Sequence, residues 1–133
     1  MRYLLDTDIC IYIAKRQPAP VFERLRRLRP GDVGMSAVTY LELSCGAWKS
    51  QRREENLRRI KGLEQLIPAL PVEAQVAVAY GQLRSELERA GTPIGAYDLI
   101  IAAQALSLGL ILVTNNVREF KRVPDLLLEN WAV

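Results

Sequence analysis

Tyr3-Leu4-Leu5-Asp6-Thr7-Asp8-Ile9-Cys10-Ile11-Tyr12 decides the fold of this 133-residue chain. A short apolar run ends on a carboxylate, and a helical pattern starts directly behind it. An apolar run without polar alternation suits a strand covered on both faces, as in a parallel sheet. The reading is a strand over about Arg2–Asp6, then a helix capped by Thr7 or Asp8 that runs to about Arg16 and is stopped by Pro18 and Pro20. In open α/β sheets the crevice outside the carboxyl ends of the strands is where ligands bind. Asp6 is delivered to that crevice, and a carboxylate there is costly unless a positive group, such as a metal ion, sits against it.

Outward from that stretch, strands and helices alternate. A second helix is expected over about Val21–Leu28, ending at Pro30-Gly31, and a second strand over Asp32–Ser36. Ser36 or Thr39 starts the next helix, which reaches Lys49 with an apolar stripe of Val38, Leu41, Cys45 and Trp48. A charged helix follows over Arg52 to about Leu66, then a short strand over Ala69–Val72. Ala74–Arg89 carries Val76, Tyr80, Leu83 and Leu87 at helical spacing. Ala96–Leu108, apolar on nearly all sides, reads as a central helix ended by Gly109. Leu110–Thr114 matches a buried parallel strand, and Leu126–Glu129 a last edge strand. Such alternation implies a parallel sheet with right-handed crossovers. The expectation is one α/β domain over residues 1–133, its central parallel β-sheet flanked by helices on both faces.

Composition narrows the chemistry. The net charge is +3, and 14 of the 18 basic residues are Arg, the side chain suited to bidentate phosphate or carboxylate contacts. An anionic partner is favoured, although solvated helix faces would use Arg equally well. Cys10 and Cys45 read as small buried hydrophobes in a reducing compartment. With no His and two distant Cys, a structural zinc site is nearly excluded. Asp6 interrupts any signal-peptide core, and Leu99–Val113 is too short and too broken to span a bilayer. A cytoplasmic protein is expected.

Three features align with Asp6. Glu42 falls at the edge of its helix's apolar stripe, where it is either exposed or aimed into a cleft. Asp98 stands in the first turn of the most apolar helix, a place where Asp also serves the helix dipole. Helix starts in such folds face the strand ends, which brings Asp98 toward Asp6. The strand ending at Thr114 delivers Asn115, Asn116 and then Glu119 to the same edge. Gathered carboxylates raise one another's pKa, and a hard divalent cation, Mg²⁺ or Mn²⁺, resolves the repulsion with oxygen ligands. Such an ion activates water and stabilises phosphoryl charge. Without His, the usual general base of metal-free ribonucleases, metal-assisted phosphodiester hydrolysis is favoured over cleavage through a cyclic phosphate.

These residues resemble the PIN-domain ribonucleases, and among them the VapC toxins of prokaryotic toxin–antitoxin pairs. The opening stretch is similar to that family's first strand and helix, and Ser36-Ala37-Val38-Thr39-Tyr40-Leu41-Glu42-Leu43 with Gly46-Ala47 to its second motif. Thr92-Pro93-Ile94-Gly95-Ala96-Tyr97-Asp98 and Leu112-Val113-Thr114-Asn115-Asn116-Val117-Arg118-Glu119-Phe120 resemble the third and fourth. The resemblance implies that Asp6, Glu42 and Asp98 bind Mg²⁺ (or Mn²⁺), with Asp6 and Asp98 as direct ligands and Glu42 as a ligand or water positioner. A fourth acidic role would fall to the place of Asn116 or to Glu119. Asp8 stands where the family usually has Asn. Thr7 and Thr114 would support the acids with their hydroxyls. The resemblance also implies an endoribonuclease that cuts structured RNA such as tRNA and arrests translation. It further implies a homodimer neutralised by a VapB-like antitoxin.

Two other readings compete. A phosphatase of the haloacid-dehalogenase type would use Asp6-Thr7-Asp8 as its DxD start with Asp6 as nucleophile. Cys10 stands where that family has Thr or Val, no suitably placed Lys follows a later strand, and no paired Asp motif appears. A non-catalytic RNA- or protein-binding module would rest on Arg24, Arg26, Arg27 and Arg29 with Arg52, Arg53, Arg58 and Arg59.

Overall fold

The computed structural model describes residues 1–133. Its sheet is built from β1 (Tyr3–Leu5), β2 (Val33–Ser36), β3 (Ala69–Leu70), β4 (Ile111–Val113) and β5 (Leu128–Glu129) in the order β3-β2-β1-β4-β5. All four pairings are parallel. Strand β1 is central, and the chain moves outward on one side through β2 and β3 and on the other through β4 and β5. That reversal beside β1 opens a crevice at the carboxyl ends of β1 and β4.

Seven helices connect the strands: α1 (Thr7–Lys15), α2 (Ala19–Arg26), α3 (Ala37–Lys49), α4 (Arg53–Leu66), α5 (Val76–Arg89), α6 (Ala96–Leu108) and α7 (Val117–Phe120). Alternation along β1 splits the core in two. Tyr3 and Leu5 join Ile9, Cys10 and Ile13 of α1, Leu43 of α3 and Leu63 of α4 on one face. Leu4 joins Leu83 and Leu87 of α5 with Leu99, Ile101 and Ala105 of α6 on the other. Both faces are covered, as the uninterrupted apolar run requires. Each fully buried Leu contributes about 1.5–3 kcal/mol of apolar burial.

Several expectations are corrected. Asp6 itself caps α1, accepting from Ile9 N, in place of Thr7 or Asp8. The first strand ends at Leu5 because Asp6 turns the chain into that cap. Helix α2 starts at Ala19, earlier than expected, since Pro20 fits its first turn, where no N–H is needed. Helix α7 was not expected, being a single turn. Cys10 is buried, but Cys45 is exposed. The reason is the orientation of α3: its buried face is Val38, Thr39, Leu43 and Ala47, while Leu41 and Trp48 are 69% and 54% exposed. The helix carries two apolar faces, and helical spacing alone does not say which one packs. Helix α6 is central as expected, with Leu99 and Ile101 to Ala105 buried, and Gly109 closes it in the left-handed conformation.

Candidate active site

The acidic edge begins with pairing between β1 and β4. Leu5 lies opposite Val113, and Asp6 N donates to Val113 O at 3.0 Å, which places Thr114 beside Asp6. The Thr114 hydroxyl donates to Asp6 Oδ2. Asn116 N donates to Thr114 Oγ1 at 2.9 Å, so that oxygen is already accepting and its own proton is directed at Asp6. The other oxygen, Oδ1, accepts from Ile9 N at 3.0 Å. Asp6 is 4% exposed. Burial pushes its pKa up to about 6, with the Asp8 and Glu42 charges adding to the rise and the Thr114 and Ile9 hydrogen bonds opposing it.

Glu42 reaches the edge from α3, whose start is fixed by Ser36 accepting from Val38 N at 3.1 Å. It is half-buried and points across to α1, where Thr7 Oγ1 donates to Glu42 Oε1 at 2.7 Å. Thr7 Oγ1 also lies 3.2 Å from Thr39 Oγ1. Thr39 is fully buried one helical turn before Glu42. Its place in the site was missed from sequence, although the spacing of three residues on one helix was there to find it.

Asp98 stands in the first turn of α6. Its pKa is pushed up to about 7 by burial first, then by the Glu119 charge and more weakly by Asp6, with a hydrogen bond to Glu119 and the Glu42 charge adding to the rise. Glu119 comes from α7. Its Oε1 accepts from Gly95 N at 3.3 Å, and its Oε2 from Asn116 Nδ2 at 2.5 Å. Arg122 holds the intervening loop by donating to Pro93 O at 3.1 Å. The structure thus brings Asp6, Glu42, Asp98 and Glu119 to one edge, with Asn116 orienting Glu119. Asp8 is exposed and acts on Asp6 by charge. Asn115, expected at this edge, donates to Tyr12 Oη at 3.2 Å and accepts from Asn130 Nδ2 at 3.2 Å, contacts the sequence did not reveal, tying the strand-end loop to α1 and the last residues.

None of the five ion pairs in the molecule involves these four acids. They offer oxygen donors only and lack a basic neighbour, the donor chemistry that suits a hard divalent cation. As the side chains stand, no three acids lie close enough together to hold one ion. Closure onto a metal therefore requires side-chain movement. Thr114, Ile9 and Thr7 already fix Asp6 and Glu42, whereas Asp98 and Glu119 face each other as like charges. No helix is long and apolar enough to cross a membrane.

Comparison with known proteins fits this geometry. The PIN domain family model matches residues 3–126. The chain is 47% identical over 132 residues to the tRNA(fMet)-specific endonuclease VapC of Shigella flexneri, covering 99% of both chains. It superposes on VapBC-1 from nontypeable Haemophilus influenzae with a TM-score of 0.92 at 42% identity and full coverage of both chains. DNA-bound VapBC from Salmonella typhimurium gives a TM-score of 0.93 at 41% identity over 98% of each chain.

Proposed function

Because this chain belongs to the PIN domain family, we propose that it is a Mg²⁺- or Mn²⁺-dependent endoribonuclease that cuts tRNA and thereby arrests translation in the cytoplasm. The observation that carries this reading is the set of four carboxylates at one strand edge with no basic side chain to neutralise them. The family and the relatives establish a VapC-type nuclease with a VapB antitoxin as partner. Divalent-metal dependence is general among PIN-domain nucleases. The naming of the Shigella flexneri relative makes initiator tRNA the first substrate to test.

On this reading Asp6, Glu42 and Asp98 hold the metal and Glu119 takes the fourth acidic role, with Asn116 orienting it. A divalent cation bound there lowers the pKa of a water and neutralises charge building on the phosphoryl oxygens. The chain's own residues do the positioning. Thr114 and Ile9 N hold Asp6 at one angle, and Thr7 holds Glu42 beside it. Asp98, whose pKa is raised first by burial and then by the Glu119 charge, holds its proton more readily when no cation is present and gives it up when one binds. The exposed side chains of Leu41, Cys45 and Trp48 with Tyr97, which is 59% exposed, support a homodimer through α3 and α6. Leu41→Arg should then leave a monomer in sedimentation.

The test is purified protein with tRNA. Cleavage with Mg²⁺ or Mn²⁺ that stops in EDTA and leaves 5′-phosphate and 3′-hydroxyl ends supports the reading. Cleavage that persists in EDTA, or cyclic phosphate products, overturns it.

A further inference from the structure

Chain ends are ordered only where something ties them down, and here residues Glu129 to Ala132 are tied. Trp131 is buried, packs edge-on against Tyr3 of β1 at 5.2 Å and donates through Nε1 to Glu129 Oε1 at 2.9 Å. The same oxygen accepts from the Arg24 guanidinium of α2 at 2.8 Å, and that guanidinium lies 5.4 Å from the Trp131 ring centroid. Asn130 sits between these two anchored residues. Its Oδ1 accepts from Ala132 N at 2.9 Å, and its Nδ2 donates to Asn115 Oδ1. From the other side, Asn115 Nδ2 donates to Tyr12 Oη of α1. No backbone–backbone hydrogen bond involves Asn115, so its side chain supplies the hold.

Asn115 stands between two residues that each touch an acid. Thr114, before it, donates to Asp6 Oδ2, and Asn116, after it, donates to Glu119 Oε2. Asn116 N also donates to Thr114 Oγ1, so the three residues form one turn whose shape sets where both acids point. Resting on the nuclease reading, we infer that Asn130 and Tyr12 are positioning residues for the metal site, acting on it through Asn115. Neither side chain hydrogen-bonds an acid. They clamp Asn115 from the chain end and from α1, and the clamp keeps Thr114 and Asn116 turned toward Asp6 and Glu119. Groups behind metal ligands raise affinity by fixing ligand orientation. Here one clamp reaches both halves of the acidic edge. Both ends of the Asn130 amide are committed within the protein, which favours positioning over contact with RNA.

Tyr12→Phe and Asn130→Ala each remove one partner of Asn115, and Tyr12→Phe keeps the ring and its packing. One neutral hydrogen bond, net of solvent, corresponds to about fivefold in an equilibrium. In metal-free protein the Asn116 amide hydrogen should therefore exchange about fivefold faster in either variant. The Thr114 amide, bonded to Glu129 O, should keep its rate, which separates a loosened turn from an unzipped β5. Mn²⁺ affinity by calorimetry should fall by about the same factor. Asn115→Ala should lose more, and adding Asn130→Ala to it should cost nothing further, because residues acting through one another are not additive. Cleavage of tRNA should drop at limiting Mn²⁺, recover at saturating Mn²⁺ and show an unchanged KM for tRNA. Wild-type exchange and Mn²⁺ affinity in Tyr12→Phe and Asn130→Ala overturn the inference. So does a further loss in the double variant, or a raised KM with unchanged Mn²⁺ affinity, since the amides then touch RNA. If the wild type neither binds Mn²⁺ nor cleaves tRNA, the nuclease reading falls with the metal site, and Asn116 exchange alone still decides whether the clamp holds the turn.

Discussion

The two acids at the heart of the edge, Asp6 and Asp98, are held in opposite ways. Asp6 has a donor for each oxygen, Ile9 N on one and the Thr114 hydroxyl on the other. Asp98 faces a second carboxylate, Glu119, and the two hydrogen-bond each other only if one keeps a proton. The pKa rises to about 6 for Asp6 and about 7 for Asp98, led in both by burial. Hydrogen bonds counter that rise at Asp6, whereas at Asp98 a neighbouring charge adds to it. One half of the site is set by strand pairing and a helix cap. The other half is electrostatically unresolved until a cation or a proton arrives.

The sharpest way to break this contrast is to remove each acid. Asp98→Ala and Asp6→Asn should each lower kcat/KM for tRNA cleavage on the order of a thousandfold or more. Asp6→Asn keeps a capping side chain, so its fold should survive in circular dichroism. Activity within tenfold of wild type in Asp98→Ala would leave Asp6 as the only functional half.

Thr114→Val tests the ordered half with a smaller effect. Loss of a side chain that orients a metal ligand costs roughly 10–100-fold in metal affinity or activity. Mn²⁺ titration by calorimetry should show that loss. The unresolved half is tested by Glu119→Gln, which should bring the Asp98 pKa down, as read from its carboxyl carbon resonance against pH.

The third test is stability against pH. Both acids have folded pKa values above the unfolded value of 3.8, so the folded protein binds more protons than the unfolded chain across that interval. Their contribution to stability is therefore present below about pH 4 and is lost as pH rises to about 7. The chain has no His to titrate in the same range. Without metal, these acids should make the melting temperature fall by a few degrees between about pH 5 and pH 8. Mg²⁺ should restore it more at the higher pH. A rise instead would show that neither half carries the strain described here. Smallest of all, Ser36→Ala should cost about 1 kcal/mol in urea unfolding through its lost cap on α3.

How much of this was legible depends on what each residue had to reveal. Tyr3 to Leu5 followed by Asp6 announced a doubly covered strand with an acid at its end, because continuous apolarity and a charge leave few alternatives. Asp98 and Glu119 were placed by topology, since strand ends and helix starts meet at one edge. Their contact was not legible, because it depends on how α7 packs. The exposure of Leu41, Cys45 and Trp48 was misread because periodicity marks faces without saying which face meets the sheet. Thr39 and the Asn115–Tyr12 contact were hidden for a related reason: hydroxyls and amides look like turn or cap residues until a long-range partner appears.

The outward progression of strands from β1 also sets when the enzyme can first exist. Asp6 and Glu42 come from the β1-β2-β3 side of the chain and Asp98 and Glu119 from the β4-β5 side, so the ribosome must make 119 of 133 residues before all four acids are present. Strand β5 and Trp131, which packs edge-on against Tyr3 at 5.2 Å, arrive later still. On the proposed activity, a nascent chain that stalls before β4 is harmless to the ribosome making it. The same order means that a nonsense mutation almost anywhere along the gene disarms the product.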